Sequence, residues 1–88
     1  MQISKEVIHR EIAGEHILVP AGSLALRRKG VFVISELGAE IWEMLQAGKD
    51  RSAIMATLLD DYDVTEDVLA KDMDDFLQML RENELLTD

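Results

Sequence analysis

Leu69, Met73, Phe76, Leu77 and Leu80 recur at i, i+4, i+7, i+8 and i+11 near the end of the chain, the spacing of a single apolar stripe along an α-helix. Thr65 stands ahead of the stripe as an N-cap, and Glu66, Asp67 and Asp72 fall where the positive end of a helix favours carboxylates. The pattern predicts an amphipathic helix of roughly 20 residues starting there. In a chain of 88 residues such a helix leaves room for one domain only, and everything upstream has to supply the surface on which its stripe is buried.

That upstream sequence reads as strands first and helices afterwards. Residues 7–12 alternate between two faces, with Ile8, Arg10 and Ile12 on one and Val7, His9 and Glu11 on the other. Gly14 supplies a turn, and residues 16–19 return as a second strand before Pro20, which lacks a ladder donor. Residues 21–30 show no clear period and are expected to form a loop. Val31, Phe32, Val33 and Ile34 are β-branched or aromatic at every position, the pattern of a third strand covered on both faces. Ser35 caps a helix over residues 36–47 that carries Leu37, Gly38, Ile41, Trp42 and Leu45 at helical spacing and stops at Gly48. Asp50 caps a second helix with Ile54, Met55, Leu58 and Leu59, ending near Tyr62. Glu84, Leu85 and Leu86 are expected to add a short extended segment that closes the core. The fold class is therefore α+β, a small winged helix-turn-helix-like domain in which a three-stranded antiparallel sheet is followed by three helices.

Charge and composition exclude whole classes of function. The net charge is -9, and its distribution is lopsided: residues 1–59 carry 7 acidic and 7 basic side chains, whereas residues 60–88 carry 11 acidic against 2 basic. Nucleic-acid binding draws on Lys and Arg facing phosphates, so no nucleic-acid partner is expected. The alternative of a winged-helix DNA-binding transcription regulator requires a basic recognition helix, and the second predicted helix sets Asp60 and Asp61 against Arg51. With no cysteine, disulfides and thiolate chemistry are unavailable, and a reducing compartment is the natural home. The N-terminus lacks a signal-like apolar stretch and no run is long enough to span a bilayer, which favours a cytoplasmic protein without a membrane partner.

Catalytic and metal motifs are missing too. There is no nucleophile elbow and no glycine-rich phosphate loop, and the carboxylates fall on polar helical faces. His9 and His16 approach each other across the predicted hairpin without a third ligand, so no metal and no cofactor is expected, and both read as surface residues. Trp42 reads as a core anchor. Arg27, Arg28 and Lys29 read as a solvated loop.

The segment Ser35-Glu36-Leu37-Gly38-Ala39-Glu40-Ile41-Trp42-Glu43-Met44-Leu45 resembles the "Leu-Asn, two variable residues, Gly-Ala, variable residue, Ile-Trp" stretch of PqqD-like proteins. Gly48-Lys49, then Ile54 and Leu58, then Asp61-Tyr62-Asp63-Val64, then Asp72 with Phe76-Leu77 and Leu80, and finally Leu85-Leu86 follow the same order and spacing. The likeness runs from about His9 to Leu86 and is weakest over residues 21–29. Its main departure is Ile34-Ser35 in place of Leu-Asn, and serine caps a helix about as well as asparagine.

The resemblance implies a non-catalytic module that recognises the leader of a ribosomally made precursor peptide and presents it to a modifying enzyme, often of the radical S-adenosylmethionine type. It implies docking of the leader as an added strand along Val31, Phe32, Val33 and Ile34, over a groove walled by the last helix. A helical count puts Val68, Asp72, Asp75 and Met79 on that wall, Val68 and Met79 for an apolar leader side chain and the two aspartates for a basic one. An adaptor that touches only the folded enzyme is the further alternative, and an open strand edge also allows two copies to pair as a homodimer.

Overall fold

The computed structural model describes residues 1–87. The chain runs β1 (Gln2–Ile3), β2 (Val7–Ile12), β3 (Glu15–Pro20), α1 (Gly22–Arg27), β4 (Phe32–Ile34), α2 (Glu36–Gln46), α3 (Arg51–Asp61), α4 (Glu66–Glu82) and β5 (Leu86–Thr87). β2, β3 and β4 form an antiparallel sheet in that order. Ala13 and Gly14, both at positive φ, make the two-residue turn between β2 and β3, the geometry that matches strand twist in a tight hairpin.

Three polar side chains start the three long helices. Ser35 Oγ accepts from the Gly38 N–H at 3.0 Å, Asp50 Oδ1 from the Ala53 N–H at 2.9 Å, and Thr65 Oγ1 from the Val68 N–H at 3.4 Å, each satisfying a donor that has no partner inside its helix. α2 packs on β3 and β4, and α4 packs on α2 and α3. The stripe Leu69, Met73, Leu77 and Leu80 joins Trp42, Ile41, Leu18, Leu24, Ile54 and Leu58 in one buried cluster, with Trp42 at 0% exposure as its largest member.

Several expectations need correction. Residues 21–30 contain the helix α1 rather than a plain loop, so four helices are present among the described residues. Six residues without a side-chain cap give no readable period; α1 is held instead by burial of Leu24 and by Glu6, whose Oε2 accepts from the Ser23 N–H at 2.5 Å and whose Oε1 accepts from the Ser23 hydroxyl at 2.7 Å. These bonds to Ser23 hold the Glu6 carboxyl below its ordinary pKa. Arg27 and Arg28 are likewise not free in solvent, since both reach Glu84 Oε2, at 3.4 and 3.2 Å. Finally, the third strand is covered on one face only. Phe32 and Ile34 turn inward, whereas Val33 points out at 66% exposure, because the helices lie on one side of the sheet.

The extended segment at the chain end is present as β5, and its partner is β1, which two residues are too few to announce. Gln2 pairs with Thr87 and Ile3 with Leu86. Leu85 and Leu86 are buried. The two histidines are half-buried rather than superficial: His9 Nε2 lies 3.1 Å from His16 Nδ1, and His9 Nδ1 lies 4.0 Å from Glu43.

Tyr62 closes α3 against α2 by donating its hydroxyl proton to Glu40. That bond pushes the phenol up to about 12 from 10.0. Because the folded pKa lies above the unfolded one, the stabilisation is present below pH 10 and is lost as pH rises through about 12. Tyr62 is the chain's single tyrosine, so alkaline absorbance titration should give a midpoint near 12, and Glu40→Gln should return it toward the ordinary value. An unmoved midpoint in that variant would contradict the assigned cause.

Candidate functional site

β4 is the last strand of its sheet. It pairs with β3 through Leu18↔Phe32, Ile17↔Val33 and His16↔Ile34, and among the described residues no strand lies on its other side. The outer row of N–H and C=O groups is therefore available for ladder hydrogen bonds with an extended segment. Immediately after β4 the chain turns at Ser35 into α2. There a cleft of about 230 Å³ opens between the first turns of α2 and the middle of α4, lined by Ser35, Leu37, Gly38, Ile41, Asp72, Asp75 and Phe76. An apolar cavity of about 150 Å³ takes benzene, so this cleft has room for one sizeable side chain.

Gly38 shapes the cleft. It lies inside α2, where glycine is a poor helix former at about 1 kcal/mol relative to alanine, and its lack of a side chain admits the Phe76 ring: a Cβ at this position would stand 3.0 Å from that ring. Phe76, Leu37 and Ile41 make the walls apolar. Asp72 and Asp75 lie one turn apart on α4 and bring negative charge to them. Lys71 Nζ donates to Asp75 Oδ2 at 2.8 Å, and this bond holds the Lys71 ammonium above its ordinary pKa. No such partner is recorded for Asp72 among the described residues.

The residues singled out in the sequence fall into three groups. Phe32, Val33 and Ile34 form β4, with Val31 exposed just before it. Asp72 and Asp75 line the cleft. Val68 and Met79 do not: Val68 is 57% exposed near the start of α4, and Met79 is half-buried against the core. Sequence reasoning missed Gly38 and Phe76 as a pair. The available signal was a glycine in the first turn of a helix, past the Ser35 cap and away from any chain reversal, which marks a close approach. Phe76 reads in the sequence as a member of the core stripe alone.

Known proteins bear on this arrangement. The family model described as Coenzyme PQQ synthesis protein D (PqqD) matches residues 15–86. Among solved structures, the chain is similar to TbiB1 in complex with the TbiA(beta) leader peptide, with a TM-score of 0.80 and 28% identity over 100% of both chains. A search of curated proteins finds no match.

Proposed function

The chain belongs to the PqqD family, and we propose that it binds the leader of a ribosomally made precursor peptide by strand addition to β4 and presents it to a peptide-modifying enzyme. The observation that carries this reading is the free edge of β4 lying beside a cleft of side-chain size. Main-chain hydrogen bonds along the edge supply affinity, and the cleft reads the guest side chains that turn inward. Further support comes from the similar protein TbiB1, whose structure is of a complex with the TbiA(beta) leader peptide. The module does no chemistry itself: the polar groups lining the cleft are two carboxylates and the hydroxyl of Ser35, which already caps α2. Family membership favours a radical S-adenosylmethionine enzyme as the one served.

In the docked complex Val31, Phe32, Val33 and Ile34 flank the leader backbone. The apolar walls of the cleft hold an aliphatic stem, and Asp72 and Asp75 attract a cationic tip. Asp72 contributes more of that attraction, because Asp75 is shared with Lys71. Val68 extends the wall toward the start of α4. A DNA-reading role is disfavoured by Arg51 of α3, which donates to Asp74 from Nε at 3.0 Å and from Nη2 at 3.1 Å, so that its charge is already matched by a surface carboxylate.

Titration of a fluorescent synthetic leader tests the site. Val68→Asp should weaken binding several-fold with an unchanged circular dichroism spectrum, since an exposed position carries little folding energy. Asp72→Asn should weaken binding of a leader with a basic residue and remove part of its salt dependence. Wild-type affinity in both variants would contradict this wall. Met79 is the poorer test position, because a charge placed there would perturb the core it touches.

A further inference from the structure

The helices cover one face of the sheet, and strand alternation turns Ile8, Arg10 and Ile12 of β2, Glu15 and Ile17 of β3 and Val33 of β4 to the other. Ile8, Ile12 and Val33 are exposed there. The neighbouring pairs Arg10↔Ile17 and Ile12↔Glu15 set four of these side chains at the corners of one quadrilateral, with the cation and the anion on one diagonal and two isoleucines on the other. Arg10 and Glu15 are both exposed, and among the described residues neither has an ion-pair partner. The face is thus an aliphatic platform that carries one charge of each sign near its centre.

We propose that this face takes a second copy of the same chain, sheet against sheet about a two-fold axis. An axis that passes between Arg10 and Glu15 and crosses the line joining them sets Arg10 over the partner's Glu15, and symmetry makes the same contact a second time. That axis runs near the Ile12–Ile17 diagonal, so those two side chains meet their own copies. A partner offering a charge of one sign would match Arg10 or Glu15 and oppose the other, whereas a second copy matches both. The charge of the whole chain favours the same approach. Two copies at a net charge of -9 repel from most directions, but the excess lies in residues 60–88, with 11 acidic and 2 basic side chains, while residues 1–59 carry 7 of each. α4, which holds much of that excess, packs on α2 behind the sheet, so contact through the outward faces leaves the two acidic layers on opposite outer sides. The strands β2 and β3 have six residues each, which gives a three-stranded face of roughly 20 by 15 Å. That is at the low end of specific interfaces, so the pair forms and separates with concentration. The proposal does not rest on the leader-binding reading. A strand added at β4 lies beside the sheet and not over its face, so a dimer of this kind holds a leader on each copy.

Sedimentation velocity of the full chain from about 5 to about 500 micromolar tests the proposal, and wild type should pass from monomer to dimer within that range. Arg10→Glu and Glu15→Arg each bring like charges together across the axis twice and should weaken association at least tenfold. The double variant Arg10→Glu/Glu15→Arg exchanges the two charges and should return to within about threefold of wild type, a rescue that a misfolded single variant would not show. Saturating fluorescent leader should leave the dimer intact, and the single variants should bind leader within twofold of wild type. A wild-type chain that stays monomeric throughout, single variants that associate as well as wild type, or a double variant no better than the singles would overturn the proposal. A dimer that leader dissolves would overturn it in favour of pairing through the β4 edges, and a loss of leader affinity in the single variants would overturn it in favour of the leader as occupant of the face. Failure of the leader to bind wild-type protein would remove the reading of β4 while sedimentation still decided this one.

Discussion

Trp42→Ala will lower stability against urea by about 3–5 kcal/mol, the usual penalty for emptying a large aromatic site in a core. A domain of this size has about 5–15 kcal/mol in total, so the variant should be largely unfolded well before wild type. Trp42 is fully buried on α2, the helix that touches β3, β4 and α4, and its removal therefore loosens sheet and helices together. Its indole Nε1 has no protein hydrogen-bond partner among the described residues, so the contacts that the protein makes to this side chain are packing contacts. Trp42→Phe should accordingly retain most of the stability, and equal losses in the two variants would contradict the packing account.

Gly38→Leu will reduce leader affinity by ten- to hundredfold while the far-ultraviolet spectrum stays helical. A leucine at this position enters the cleft, and a Cβ there already stands 3.0 Å from the Phe76 ring, so the space reserved for a guest side chain is filled from within. Excluding one aliphatic side chain from a buried site costs about 1.5–3 kcal/mol, and each 1.4 kcal/mol is about tenfold in affinity. The crowding of the Phe76 ring opposes what the helix gains by losing a glycine, so a urea unfolding curve of the variant accompanies the binding measurement. Fluorescence anisotropy with a labelled leader reads the affinity, and undiminished binding would mean that the cleft takes no part in recognition.

The long helix, its two predecessors and the hairpin were legible because each carries its own local signal: an apolar stripe, a polar cap ahead of it, or a glycine at a turn. Thr65 with Leu69, Met73 and Leu77 is the clearest instance. α1 was not legible, because what holds Gly22–Arg27 in place comes from elsewhere in the chain, from Glu6 at its start and Glu84 near its end. β1 failed for the same reason, since Gln2 and Ile3 become a strand only through pairing with Thr87 and Leu86. In the candidate site, the run around Val33 announced a strand but not which of its faces is covered. Composition cannot separate a strand buried on both faces from an edge strand with one apolar face left open, because that depends on where the helices pack. The aspartates of the cleft could be placed by helical counting along α4, whereas Gly38 and Phe76 meet across two helices, a distance that periodicity does not reach.

The central claim is that a guest strand completes the sheet at β4, and amide hydrogen exchange on the protein with and without leader measures it most directly. Slowed exchange confined to amides of Phe32, Val33 or Ile34, those whose N–H groups face away from β3, is the predicted result. Unchanged exchange across β4 under saturating leader, with protection arising on another element, would contradict it.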